Sequence, residues 1–247
     1  MNFKTALLSL ALMLGSVPAH ADVVYKVGST PTGVPFTFLD AETNTIQGMM
    51  VDLIAEVGKD VGFTPEIQAM PFSTLVPSLS SGKIDIIAAA MSATPERGKV
   101  VDFTNDVYRY GEGLIVPSSD ATDYTSLEDI KGKRIGAQIG TNYLNVLQAS
   151  GLFAEVRAYD ALPDVLRDVA NGRVDAGVGD YPILGYLLSQ GKYTDVRLVK
   201  SYVPSVVGSV NIAVKKGNAE LQDKINKSLA AIKEDGRLDK ILAKWGL

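Results

Sequence analysis

From residue 23 onward the chain alternates short apolar runs with amphipathic stretches. Val23-Val24-Tyr25-Lys26-Val27-Gly28 is a β-rich run that ends in glycine. Gly48 to Gly58 follows, with Met49, Leu53, Ile54 and Val57 at the spacing that gives a helix one apolar face. Strand-like and helix-like segments keep alternating, which predicts an α/β fold with mainly parallel strands rather than a sandwich or a bundle. Asn218 to Trp245 closes the chain as a helical hairpin-like element. Leu221, Ile225, Leu229 and Ile232 share a face there, and Gly236 interrupts before Leu238.

One pattern occurs twice. Leu75-Val76-Pro77-Ser78-Leu79 leads through Ser81-Gly82-Lys83 into Ile84-Asp85-Ile86-Ile87. Val165-Leu166-Arg167-Asp168-Val169 leads through Asn171-Gly172-Arg173 into Val174-Asp175-Ala176. Each is a helix, a glycine suited to leaving it at positive φ, a basic residue and a strand. The repeat predicts two lobes of similar architecture, although helix-Gly-strand also recurs in unrelated α/β chains.

The first residues have a different grammar. Lys4 precedes an apolar run from Ala6 to Gly15, and Ala19-His20-Ala21 is a small-x-small site. This is the layout of a secretory signal peptide cut after Ala21, too short in its apolar part to span a bilayer. No Cys follows the run, which argues against a lipid anchor. The expected location is the periplasm.

Composition then narrows the chemistry. The chain has no Cys and one His, His20, which leaves with the signal. Thiol and imidazole nucleophiles, disulfides and the usual zinc sites are excluded from the mature chain. Loss of Lys4 makes the net charge one unit more negative than -4. Such a chain is a poor nucleic-acid binder, and no basic cluster with interleaved aromatics is present. No cofactor is implied.

Three segments carry candidate chemistry. In the first, a strand through Ala88-Ala89-Ala90 meets Ser92-Ala93-Thr94-Pro95-Glu96-Arg97. Thr94 suits a helix N-cap and Pro95 the first helical position. Arg97 opposes the helix dipole there unless an anion is held, and arginine is well shaped to grip a carboxylate. A surface pair with Glu96 or Asp102 is the alternative. In the second, Gln138-Ile139-Gly140-Thr141-Asn142 ends a strand and starts a helix without the spacing of a phosphate-binding loop. In the third, Asp180 stands at the carboxyl end of a glycine-containing strand, either as a helix cap or as a ligand contact. Ser80 and Lys83 match a Ser-x-x-Lys dyad only formally, in a turn expected to be solvated.

These segments resemble, in order, the periplasmic polar-amino-acid-binding proteins of ABC importers. The resemblance spans the mature chain through Gly33-Val34-Pro35-Phe36, the two helix-Gly-strand units, Thr94 to Arg97 with Val101-Asp102-Phe103-Thr104, Leu127 to Gly136, and Asp180. It implies an α/β, two-lobed periplasmic-binding-protein type II fold with two hinge crossings, near Val107–Gly111 and Pro204–Gly208. Residues 22–107 and 208–247 would form lobe 1, and 108–207 lobe 2. The resemblance assigns the ligand α-carboxylate to Arg97, Ser92, Thr141 and Asn142. It assigns the α-ammonium to Asp180 and the carbonyl of Ala90, and an apolar wall to Phe72. A monomer that hands its ligand to an inner-membrane ABC permease is implied.

Departures from the family pattern bear on the ligand side chain. Thr30 stands where many relatives have an acid, and Gly33 where many have an aromatic. Gln138 occupies a position that contacts the side chain in relatives, and Met50 replaces a usual acid. Together these point away from a cationic ligand toward a neutral one, polar or fairly bulky. Two other functions compete with import: a periplasmic cyclohexadienyl or arogenate dehydratase on the same fold, and a sensory protein presenting ligand to a membrane receptor. Retention of both Arg97 and Asp180 favours binding over catalysis.

Overall fold

The computed structural model describes residues 23–247; the expected signal peptide and its cut after Ala21 lie outside the described residues. The first part of the chain runs β1 (Val23–Ser29), β2 (Thr32–Gly33), β3 (Thr37–Asp40), β4 (Thr45–Gln47), α1 (Met49–Val61), β5 (Phe63–Ala69), α2 (Phe72–Ser80), β6 (Ile86–Met91), α3 (Pro95–Gly98) and β7 (Val101–Phe103). The middle runs β8 (Tyr108–Pro117), β9 (Arg134–Gln138), α4 (Asn142–Ser150), β10 (Glu155–Tyr159), α5 (Leu162–Ala170), β11 (Ala176–Asp180), α6 (Tyr181–Ser189) and β12 (Val196–Leu198). It closes with β13 (Val207–Lys215), α7 (Ala219–Glu234) and α8 (Arg237–Trp245). No described helix is long and apolar enough to cross a membrane.

Besides the small β2–β3–β4 sheet, the strands form one ten-stranded sheet whose two halves follow the same plan. In lobe 1, β1 lies parallel between β5 and β6, and β13 runs antiparallel to β6 and β7. In lobe 2, β9 lies parallel between β10 and β11, and β8 runs antiparallel to β11 and β12. The lobes are joined where β8 and β13 pair with each other, Tyr108 to Gly111 against Val207 to Val210. The second crossing pairs slightly beyond its expected place because Glu112 ties down the residues before it. That carboxylate is 1% exposed. It accepts hydrogen bonds from the Tyr202 hydroxyl (2.8 Å), the Ser205 N–H and hydroxyl (both 2.6 Å) and the Val206 N–H (2.8 Å).

The two helix-Gly-strand units are the same device used twice. Gly82 and Gly172 take φ of 76° and 66°. The next two N–H groups turn back to the carbonyl of Ser78 in one unit and of Asp168 in the other. Asp85 then accepts the N–H of Lys26, in the middle of the neighbouring parallel strand β1, and Asp175 that of Arg134, at the start of β9. Each carboxylate sets the register of its half of the sheet. A glycine one layer above, Gly28 or Gly136, leaves room for close packing: a Cβ would stand 2.5 Å from Ile84 and 2.9 Å from Leu75 in one lobe, and 2.7 Å from Tyr159 in the other.

Helix α1 outruns its expected end. Gly58 lies inside it, where a Cβ would come 2.6 Å from the Phe63 carbonyl, and Gly62 at φ 86° is the left-handed cap. The expected apolar face is buried, and Met50 is buried with it at 0% exposure. The acid-to-Met change is thus a packing change, away from any solvent-filled space. The opening of α1 depends on Gly48, whose φ is 131° and whose Cβ would stand 2.2 Å from the Phe36 carbonyl oxygen. Gly48→Ala is expected to cost about 2–3 kcal/mol from strain and overlap combined. A lower urea midpoint at unchanged slope would register it.

Candidate functional site

Between the lobes lies a cleft of about 740 Å³ of empty space, open at its mouth. All ten residues singled out above line it: Thr30, Gly33, Phe72, Ala90, Ser92, Arg97, Gln138, Thr141, Asn142 and Asp180.

The lobe 1 wall is made by the exit from β6. Ala90 takes φ 52°, a left-handed conformation that costs a non-glycine residue about 1–3 kcal/mol and recurs at functional sites. The chain then turns through Ser92 to Thr94, whose hydroxyl accepts the Arg97 N–H at 3.2 Å as the cap expected there. α3 is a single turn of four residues. Its dipole is too small to explain Arg97, contrary to expectation. The guanidinium is placed by contacts instead. It donates to the carbonyls of Ser92 (2.5 Å) and Gly140 (2.8 Å), and lies 5.5 Å from the centre of the Phe72 ring. The surface pair fails as an alternative, because Asp102 is held by Lys216 and the Gly217 N–H, both at 2.7 Å. Gly208, from the hinge, has no room for a Cβ, which would lie 2.4 Å from the Ser92 hydroxyl oxygen.

The lobe 2 wall starts at the end of β9. Thr141 caps α4 by accepting the Leu144 N–H at 3.3 Å while donating to the Gln138 carbonyl at 2.6 Å. The first N–H groups of α4 lack acceptors within the helix. Gly140, at φ 81°, lies so close to lobe 1 that a Cβ there would stand 2.8 Å from the Cα of Ser73. Gln138 donates its side-chain amide to the Asp160 carbonyl at 3.0 Å. Asp180 sits at the N-cap of α6, yet its side chain makes no capping bond. It accepts the Tyr143 hydroxyl at 2.9 Å instead.

Burial raises the Asp180 carboxyl above its ordinary value, against the opposing pull of the Tyr110 and Tyr143 hydroxyls and of Arg97. Burial lowers Arg97, against the pull of Asp180. Among the described residues, no ion pair within 4.0 Å joins these two charges to each other or to anything else. One cleft therefore offers a cation and an anion, both half-buried and neither with a charged partner among the described residues.

Sequence reasoning missed Tyr143, Tyr110, Thr37 and Ile183. Tyr143 follows Thr141-Asn142 at the start of α4, so its place in the first helical turn was the available signal. Thr37 shares a 2.9 Å hydrogen bond with Thr30, hydroxyl to hydroxyl. Ile183 comes up to Gly33 from the second lobe. Its Cδ1 lies 3.6 Å from where a Gly33 Cβ would stand, so the second lobe partly fills what an absent aromatic leaves.

A family profile described as bacterial extracellular solute-binding proteins, family 3, matches residues 25–247. The chain belongs to this family. Among relatives of this solute-binding protein is the ABC transporter arginine-binding protein 1 of Escherichia coli (strain K12), 32% identical over 241 residues, covering 96% of this chain and 98% of the relative. Among solved structures, an ancestral arginine-binding protein bound to glutamine is similar at TM-score 0.82 and 35% identity, covering 92% of this chain and 99% of that one. An ancestral amino acid-binding protein, described as a precursor of cyclohexadienyl dehydratase, is similar at TM-score 0.79 and 28% identity, covering 90% and 95%. The solute-binding protein shares the two-lobed type II fold of its relatives, and its family places it outside the cytoplasm.

Proposed function

We propose that this protein is a periplasmic receptor that captures an amino acid or related zwitterion between its lobes and delivers it to an inner-membrane ABC permease. The observation that carries this reading is the separation of Arg97 from Asp180 across one cleft. A zwitterion supplies a carboxylate to the first and an ammonium to the second, and in a water-poor cleft each contact is stronger than in bulk solvent. In this reading Ser92, Thr141 and Asn142 complete the carboxylate site. The Ala90 carbonyl assists Asp180, and Phe72 walls the ligand. The protein is a monomer, exported after cleavage at Ala21, with residues 22–107 and 208–247 as lobe 1 and 108–207 as lobe 2. Binding favours the closed arrangement through ligand contacts that exist only there.

Calorimetry with a panel of amino acids tests the reading, and binding by none of them would refute it. Its pH dependence follows from Asp180. The ammonium needs the ionised carboxylate, so affinity is level near neutrality. It falls as the pH drops through the raised Asp180 range, sooner than an ordinary carboxylate would require. The unliganded fold responds oppositely. Its raised carboxyl binds protons that the unfolded chain does not, so this group's contribution to stability grows as the pH falls toward 3.8.

One observation supports the dehydratase alternative: a raised carboxyl is what a general acid requires. Two phenolic hydroxyls and Arg97 oppose that protonation, so the expected role of Asp180 is as a bound anion. Incubation with prephenate or arogenate is expected to give no product, and turnover would move the protein into the enzyme class.

A further inference from the structure

We propose that the ligand side chain read by this cleft is neutral and ends in a primary amide, with Gln138 and the Thr30–Thr37 hydroxyl pair as its partners. The inference rests on the zwitterion reading above and narrows it. Apart from Arg97, Asp180 and the Tyr143 phenol, no ionisable side chain among the described residues lines the cleft. A side-chain guanidinium or ammonium would be buried there with no anion left to meet it, and a side-chain carboxylate with no second cation.

The polar groups that remain are specific in kind. Asp160 presents a carbonyl to Gln138, and a carbonyl can only accept. Gln138 must therefore direct its nitrogen there, which leaves its side-chain oxygen as an acceptor fixed in orientation. Thr30 and Thr37 are 5% and 1% exposed. Two hydroxyls joined by one hydrogen bond use one of their two protons. The second proton has no acceptor among the described residues, so the buried pair offers a spare donor beside its free lone pairs. An acceptor at Gln138 and a donor at the threonines complement the NH₂ and C=O of a carboxamide. A guanidinium offers only donors: it could use the hydroxyl lone pairs but would leave the spare threonine proton without an acceptor and its own charge without an anion. An aliphatic side chain would leave the buried threonine proton unpaired, which is costly, and would cover the half-buried Gln138 oxygen without a donor.

The test is isothermal calorimetry of the protein with L-glutamine, L-arginine, L-glutamate and L-leucine. Glutamine is expected to bind at least about 30-fold more tightly than each of the other three, as for a site whose hydrogen bonds the wrong ligand leaves unmade. Gln138→Leu, which removes the acceptor while keeping bulk, is expected to collapse the glutamine-to-leucine preference about tenfold or more. Thr37→Val is expected to do the same from the donor side. Arginine or leucine binding as tightly as glutamine would overturn the amide inference while leaving the zwitterion reading intact. A Gln138→Leu protein that keeps the wild-type preference would also overturn it. Failure of all four to bind would instead strike the wider reading.

Discussion

Arg97→Ala is expected to weaken amino-acid binding by about 2–5 kcal/mol, the loss typical when one partner of a desolvated charge pair is removed. The magnitude follows from the surroundings. The guanidinium spends two donors on the Ser92 and Gly140 carbonyls, and its remaining N–H groups are held in a fixed plane for a carboxylate. Partial burial disfavours the charge, so an anion beside it is expected to be stabilising. Arg97→Lys is expected to recover only part of the loss, because an ammonium keeps the charge and loses the paired geometry. Calorimetry with the best ligand of the panel decides: less than a threefold loss on Arg97→Ala would remove Arg97 from the carboxylate site.

Glu112→Ala should show the largest effect on stability, about 3 kcal/mol or more. Truncation leaves the buried Tyr202 hydroxyl and the partly covered Ser205 and Val206 N–H groups without their acceptor, and each such group costs about 1–3 kcal/mol unless water reaches it. Glu112→Gln should lie between. The amide oxygen keeps one set of contacts, and its nitrogen faces a donor. Urea unfolding at neutral pH measures both. If Glu112→Ala unfolds at the wild-type midpoint, the carboxylate does not hold the second crossing.

Local rules carried the sequence reading where the physics is local. Thr94 and Thr141 are legible as caps because a hydroxyl before a helix meets N–H groups within its own turn. Gly82 and Gly172 are legible because a chain leaving a helix needs positive φ. The same locality explains the errors. Gly58 reads as a terminator, but α1 continues because Phe63, beyond the helix, packs its carbonyl against that glycine. Arg97 reads as a misfit in a helix dipole, yet its helix is one turn long, and what positions it are carbonyls from two lobes. Glu112, in Tyr110-Gly111-Glu112-Gly113, looks like an ordinary polar residue in a strand, since its partners lie 90 or more residues away. Tyr143 and Tyr110 were invisible for the same reason: each approaches Asp180 only once β8, β11 and α4 have come together from distant parts of the chain. The ten cleft residues emerged from the sequence because family likeness fixes strand ends, and strand ends are where this architecture gathers its side chains.

The approach of Gly140 to Ser73 has a consequence beyond the site. At that point the lobes meet backbone to backbone, and a single methyl group would act as a wedge. A wedge there would also disturb the Gly140 carbonyl that holds Arg97, a contact that serves the head group shared by every amino acid and not the side chain that distinguishes them. It would tax every ligand alike, by the fraction of molecules still able to shut. Tightness and selectivity are therefore separately adjustable in this molecule: one is set where the lobes abut, the other by the groups that face the solute.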